Sequence, residues 1–352
     1  MKKMLWFVLL LTVALFMVVG CGETPAEEAP EEETPTAEAI TSLGLGVVTS
    51  IGRSLDYSEE NDISAMAQVD NVIVVAAFDS AGKIAGVLID AAQTRVNFDE
   101  EMQVASDLTA EIRTKKELGD DYGMRVASQI DTEWHEQILS LETWMIGKTL
   151  DEVKALGLTE RGAPDDPDLA TMVTITITGY IAALEKAYNS AVPVEPGSTM
   201  IGLGHTVSIG RSTGYRMVET TEILPMAQVD VVIAAAAFDA GGRVTGILID
   251  AAQTRVNFDI EGQVTSDRSA NYFTKKELGA DYGMIRASEI GKEWYEQIAA
   301  LEEWMIGKTV DQIKAMALQE SGAPDDPDLV TAVTITVTDY LAALVEAYNK
   351  KR

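Results

Sequence analysis

Residues 66–91 read MAQVDNVIVVAAFDSAGKIAGVLIDA. Two apolar, β-branched runs, 66–78 and 84–91, flank Asp79-Ser80-Ala81-Gly82-Lys83, a glycine-bearing turn signal, so the spacing predicts an antiparallel hairpin. A further strand is expected near 45–51. Downstream the period changes: Trp134, Ile138, Leu141 and Met145 recur at helical spacing. Thr149-Leu150-Asp151-Glu152 reads as a capping box opening another helix, as do Thr309 and Gln312 later. Ile177, Ile181, Leu184 and Tyr188 trace a terminal helix. Strands first and helices afterwards imply an α+β fold, an antiparallel sheet with helices packed on one face.

The unit is written twice. AAQTRVNFD at 91–99 returns at 251–259, TKKELG at 114–119 at 274–279, and GAPDDPDL at 162–169 at 322–329. A period of 160 residues is a duplicated domain; solenoid repeats run about 20–50 residues. The expected organisation is a signal peptide over 1–20, a tether over 21–41, repeat 1 over 42–190, a Pro/Gly linker over 191–199 and repeat 2 over 200–350.

The 352 residues carry a formal charge of −29 and a pI near 4.3, which argues against nucleic acid as a partner. One cysteine excludes disulfide frameworks, thiolate zinc sites and iron–sulfur clusters, and two histidines, His135 and His205, leave little for a histidine metal centre. Residues 1–20 place Lys2 and Lys3 before a run that is apolar except for Thr12, the pattern of an export signal. Val18-Val19-Gly20-Cys21 resembles the bacterial lipoprotein box, which implies lipidation of Cys21 and anchoring at the extracellular face of the cell membrane. The alternative is an ordinary secretory signal with an incidental cysteine. Removing residues 1–20 takes two lysines and moves the charge from −29 to about −31. Residues 22–41 hold seven glutamates, three prolines and no basic residue, the composition of an extended, disordered tether.

Chemistry concentrates before the terminal helix, at Asp168-Leu169-Ala170-Thr171-Met172-Val173-Thr174-Ile175-Thr176 and again at Asp328-Leu329-Val330-Thr331-Ala332-Val333-Thr334-Ile335-Thr336. Alternate β-branched residues fit a half-buried strand, and Asp168 after Pro167 fits a helix cap. A hydroxyl near a helix N-terminus equally suits a phosphate or phosphoester. Spacing does not separate these readings.

The segment resembles the flavinylation motif of FMN-binding domains, Asp-x-x-Ser-Gly-Ala-Thr. Position by position, Asp168 and Asp328 fall on the aspartate, Thr171 and Thr331 on the serine, and Thr174 and Thr334 on the acceptor. Met172 or Ala332 replaces the glycine, so bulk there stands against the approach of a phosphate. With the lipoprotein signal, tether and duplicated unit, the chain resembles the flavin-bearing lipoproteins of Gram-positive extracellular electron transfer. That resemblance implies FMN joined by a phosphoester to Thr174 and Thr334. It also implies three partners: a flavin transferase, a membrane quinone-linked dehydrogenase and external electron acceptors. Tyr122 and Met124, with Tyr282 and Met284, are candidates to face the isoalloxazine ring, and Lys115-Lys116 and Lys275-Lys276 to balance the phosphate; the alternative is core packing and solvated lysines. Trp134, Trp144, Trp294 and Trp304 read as packing.

The expected function is a membrane-anchored electron carrier with covalent FMN, not a turnover enzyme. The rival is a surface lipoprotein binding a small ligand or cell-wall component without covalent flavin. A third reading is a reductase acting on an external acceptor.

Overall fold

A computed structural model describes residues 39–352; the expected signal peptide, Cys21 and the expected tether up to residue 38 lie outside the described residues. The expected hairpin forms. β1 (Ser42–Ser50), β2 (Met66–Phe78) and β3 (Ile84–Asn97) make an antiparallel meander in which Gly46 faces Val74 and Val74 faces Ile89. The turn is held by Asp79 Oδ1, which accepts from the N–H groups of Ala81 at 2.8 Å and Lys83 at 2.9 Å. β3 continues past the apolar run at 84–91 to Asn97, so Gln93 and Thr94 lie inside the strand.

Five helices follow. They are α1 (Lys115–Leu118), α2 (Trp134–Met145), α3 (Leu150–Lys154), α4 (Pro167–Ala170) and α5 (Thr178–Asn189). Thr149 caps α3 in the predicted box with Glu152. The connection after α5 is not free chain: β4 (Val192–Pro193) adds to the edge of β1, giving the sheet order β3-β2-β1-β4.

The second half is also α+β. β5 (Ser198–Ser208), β8 (Met226–Asp239) and β9 (Val244–Asn257) form a three-stranded sheet, and a small exposed hairpin, β6 (Arg216–Val218) and β7 (Thr221–Ile223), interrupts it. Ile73 faces Asp90 in the first sheet, and Ile233 faces Asp250 in the second. The helices are α6 (Lys275–Leu278), α7 (Trp294–Met305), α8 (Val310–Lys314) and α9 (Thr338–Asn349). The architecture is α+β, with antiparallel sheets and helices.

Side chains alternate across a strand, and here both faces are covered. Val74, Ala76 and Phe78 of β2 point to α2 and α5, where Trp134, Ile138, Leu141 and Met145 are buried as expected. Val69, Ile73, Val75 and Ala77 point the other way, into a core shared with Val229, Ile233 and Ala235 of β8. Phe98 and Phe258 meet across this shared core, ring centroids 4.9 Å apart. Sheet-on-sheet packing explains why β2 reads as a nearly unbroken apolar run: neither face meets solvent.

The inner face of α5 differs from expectation. Ile177 and Leu184 are buried as expected, but Tyr188 is 43% exposed, and Tyr180, Ala183 and Ala187 join the buried face. The cause is close backbone contact with β1. A Cβ on Gly44 would lie 1.9 Å from Ala187 O, and one on Gly46 would lie 1.8 Å from Ala183 O. Only small residues fit at that crossing.

Candidate functional site around the paired threonines

The segment 171–177 is an irregular connection and forms no strand. Asp166, not Asp168, caps α4: its Oδ1 accepts from the N–H groups of Asp168 at 3.0 Å and Leu169 at 3.1 Å. In the second half Asp326 accepts from Asp328 N at 2.9 Å. The side chains of Asp168 and Asp328 are exposed. The expected capping role therefore moves by two residues, because Pro167 takes the first helical position, where its missing N–H costs nothing.

Thr174 is fixed by α2. Its N–H donates to Oε1 of Gln137 at 2.9 Å, and its hydroxyl lies 3.4 Å from the same oxygen. Gln137 is fully buried, and its Nε2 donates to Thr132 Oγ1 at 3.1 Å and Ser128 Oγ at 3.3 Å. The second half repeats this: Thr334 N to Gln297 Oε1 is 2.9 Å, and its hydroxyl lies at 3.3 Å. A normal O–H···O bond is about 2.7–2.8 Å. The backbone of each acceptor threonine is thus held firmly and its oxygen only loosely. Neighbouring hydroxyls are better occupied. Thr171 donates to Asp168 O at 2.9 Å and Thr176 to Arg161 O at 2.8 Å. Thr336 donates to Ser321 O at 2.8 Å. Thr331 sits exposed, like Thr171.

A pocket of about 390 Å³ opens beside Thr174, lined among others by Met124, Ser128, Gln137, Arg161 and Val173. Asp168, Thr171 and Tyr122 are not in its lining. Met172 is 45% exposed, so the bulk that replaces the motif glycine points to solvent and leaves the pocket open. Met124 reaches the pocket through a buried carboxylate missed by the sequence reading. Glu133, only 2% exposed, accepts from Met124 N at 2.9 Å and Arg125 N at 2.8 Å. Glu293 does the same for Met284 and Ile285 at 2.8 and 3.0 Å. The available signal was the repeated Glu-Trp-x-Glu-Gln-Ile at 133–138 and 293–298, where a glutamine shares the helix face of buried apolar residues.

Tyr122 packs beside the helical core, its hydroxyl 3.4 Å from Gln93 Oε1. Lys115 Nζ lies 4.8 Å from the Tyr122 ring centre and 5.5 Å from that of Trp134; Lys275 repeats this over Tyr282 at 4.8 Å and Trp294 at 5.4 Å. Lys116 and Lys276 are tied at 2.5 Å to Glu142 and Glu302. Burial pushes Glu302 up against the pull of Lys276, and pushes the Tyr340 hydroxyl to about 12 against the Trp294 Nε1 bond of 2.9 Å. The tryptophans expected to pack do so: Trp134 and Trp294 are buried, and Trp144 and Trp304 flank the same cores.

Two further clefts line the seam between the halves. One, about 500 Å³, is lined by Leu88, Asp90, Lys116, Glu117, Leu203 and Lys350 among others. The other, about 480 Å³, has Leu248, Asp250, Lys276, Glu277 and Leu45 in equivalent places. Glu117, His205 and Glu346 bring ligand-capable atoms within 4.8 Å of one another, but the Lys350 ammonium already bridges Glu117 and Glu346. Among the described residues no helix is long and apolar enough to cross a membrane.

No protein-family model and no solved structure matches the chain. A chlorophenol reductase from Desulfitobacterium hafniense is 32% identical over 117 residues, which cover 30% of this chain. The chain spans 36% of that relative's length. This likeness overturns the expectation of a protein that is not an enzyme: the named relative is a reductase, and the similarity points towards enzymatic function.

Proposed function

We propose that the chain is a lipid-anchored surface flavoprotein with reductase activity, built from tandem copies of one unit and carrying FMN on Thr174 and Thr334. It would take electrons from a membrane quinone-linked dehydrogenase and deliver them to external acceptors. The observation that carries this reading is the twice-repeated geometry of one threonine: main chain locked by a buried glutamine, hydroxyl loosely held, and in the first half an open pocket alongside. The residues fit the group. A threonine oxygen with a weak bond is available for a flavin transferase to esterify with FMN taken from FAD, with AMP leaving. Met124 and Val173 offer an apolar wall, and Gln137, Ser128 and Arg161 offer polar contacts.

When bound, FMN supplies the electron chemistry, and the protein supplies position and electrostatics. Gln137 and Gln297 fix the attachment point, and Glu133 and Glu293 fix the loop that carries Met124 and Met284. Covalent attachment suits an acidic surface protein, which would hold a free anionic cofactor poorly. Reductase activity is supported by the likeness to a chlorophenol reductase.

Co-expression with a flavin transferase, followed by denaturation, in-gel fluorescence and intact mass, tests the reading. Two attached FMN groups are expected, and Thr174→Val and Thr334→Val should each remove one. A flavin-free chain would point instead to a lipoprotein binding a small ligand, for which the seam clefts offer room. Turnover of chlorinated phenols or ferric citrate by the reduced holoprotein tests the enzymatic part.

A further inference from the structure

The two seam clefts are built from corresponding residues, and one of them gathers a donor set that the other does not. Val47 of β1 faces Ile73, and His205 of β5 faces the matching Ile233. Lys186 of α5 corresponds to Glu346 of α9, and Ser190 to Lys350. In one seam Lys186 Nζ pairs with Glu277 at 2.6 Å, so a fixed ammonium closes the place. In the other, Glu346 replaces that lysine, and Glu117 of the first half converges with Glu346 and His205 of the second. Lys116 and Arg352, which line the same cleft, are both committed to Glu142.

His205 is 6% exposed, and neither ring nitrogen has a hydrogen bond of ordinary length. Nε2 lies 3.4 Å from Asp90 Oδ2, and Nδ1 lies 3.6 Å from Glu346 Oε2. The second distance is too long for a hydrogen bond but close to the spacing of two ligands on one ion. Tetrahedral bonds of about 2.0–2.1 Å place their donor atoms about 3.3–3.4 Å apart. The surroundings are already fixed. Asp90 accepts from Thr114 Oγ1 at 2.9 Å and Lys116 N at 3.1 Å, and Glu346 Oε2 accepts from His205 N at 2.7 Å. An imidazole that turns one ring N–H to a carboxylate and the other nitrogen to further donors is the usual arrangement of metal-bound histidine. Lys350 Nζ, on a half-exposed side chain, bridges Glu117 and Glu346 and so marks a place for a cation. It brings one positive charge to a group of three carboxylates, Asp90, Glu117 and Glu346.

We propose that Glu117, His205 Nδ1 and Glu346 form a site for one first-row divalent metal ion such as Zn²⁺, which displaces the Lys350 ammonium and clamps the two halves of the chain together. Asp90 orients the imidazole towards the ion. An imidazole among carboxylates suits Zn²⁺ better than Mg²⁺ or Ca²⁺, which take oxygen ligands. The other seam, with Val47 and Lys186 at the same places, offers no such set of donors. The site does not depend on the flavin reading.

Titration of the full chain with Zn²⁺ tests this, with Cys21→Ser removing the sole thiol. Mildly alkaline buffer is used because a proton competes for Nδ1. Calorimetry should give one tightly bound Zn²⁺ per chain, and the bound ion should raise the melting temperature. His205→Val and Glu346→Gln should each weaken binding by at least about tenfold. Lys350→Ala should tighten it several-fold, because the ion no longer has an ammonium to displace. Co²⁺ should give a visible absorption band in the native chain that His205→Val loses. Zinc uptake unchanged in His205→Val, weaker uptake in Lys350→Ala, or Ca²⁺ competing on equal terms would each overturn the inference, leaving only ions scattered over an acidic surface. Should His205→Val fail to fold, the opposite signs expected of Glu346→Gln and Lys350→Ala still decide it.

Discussion

His205 Nε2 lies 3.4 Å from Asp90 Oδ2, joining the second half of the chain to the first through two buried side chains. The equivalent place in the other seam cleft is held by Val47, so the pair exists on one side only. His205 Nδ1 faces Glu346 Oε2 at 3.6 Å, and Glu117 lies nearby, bridged to Glu346 by Lys350. Burial works against a charged imidazole, but the Asp90 bond and the charges of Glu346, Asp90 and Glu117 outweigh it and raise the His205 pKa.

A raised folded pKa makes protonation stabilising. The contribution is complete below the unfolded value of about 6.5 and is lost as pH rises through the higher folded value. Urea unfolding between pH 5.5 and 9 should therefore show the native chain gaining over His205→Val at the acid end. The two should converge at the alkaline end. Parallel curves would remove His205 from the account.

Much of the fold was legible because its signals are local. The 66–91 hairpin, the Thr149 and Thr309 caps and the Trp134 to Met145 face need only neighbours within a few residues. What escaped depends on distant surfaces. That both faces of β2 are buried, one by the opposite sheet, follows from a contact between residues such as Phe98 and Phe258, 160 positions apart. At the site, Thr174 and Thr334 stood out by motif, and Met124, offered as a ring-facing or core-packing residue, packs against the helical core and lines the pocket beside Thr174. The cap offered as one reading of Asp168 belongs to Asp166, because Pro167 and Asp166 settle the helix start together. Gln137 and Glu133 were missed because a polar residue on an apolar face shows its purpose only when its partners are known.

Gly44-Leu45-Gly46 is too short for a dinucleotide loop, and the structure gives it another purpose. A Cβ at Gly46 would overlap Ala183 O at 1.8 Å, and one at Gly204 would overlap Ala343 O at 1.9 Å. Neither partner atom can move without shifting a whole helix. Gly46→Ala and Gly204→Ala should each destabilise by about 3 kcal/mol, at or beyond the upper end of ordinary overpacking. Denaturant midpoints check this, and Gly147→Ala, with nothing within 4 Å of its Cβ position, reports the positive-φ cost alone.

Phe98 and Phe258, 1% and 0% exposed, sit where the two sheets share one core. Because that core belongs to both halves, unfolding should be a single cooperative transition. Phe98→Ala should cost about 3–5 kcal/mol without splitting it. Calorimetry that resolves two transitions in the native chain would show that the halves hold themselves up independently.

A buried glutamine grips the backbone of each threonine, Gln137 at Thr174 and Gln297 at Thr334. Gln297 is fully buried, and leucine is close to it in volume, so Gln297→Leu should fill the space. The loss falls on hydrogen bonds: Thr334 N loses its acceptor at 2.9 Å, and Ser288 Oγ loses its donor at 3.2 Å. Orphaning a buried donor costs about 1–3 kcal/mol, so the variant should fold with lower stability. Attachment should suffer more than folding, because the backbone beside the acceptor oxygen is no longer pinned. In-gel fluorescence on a Thr174→Val background isolates the second site. Gln297→Leu should sharply reduce its flavin, and Gln297→Glu, which keeps an acceptor for Thr334 N, should restore part of it. If flavin loading follows thermal stability alone across the three chains, the glutamine only packs. If loading falls in a leucine variant that is still folded at the assay temperature, Gln297 positions the reactive hydroxyl.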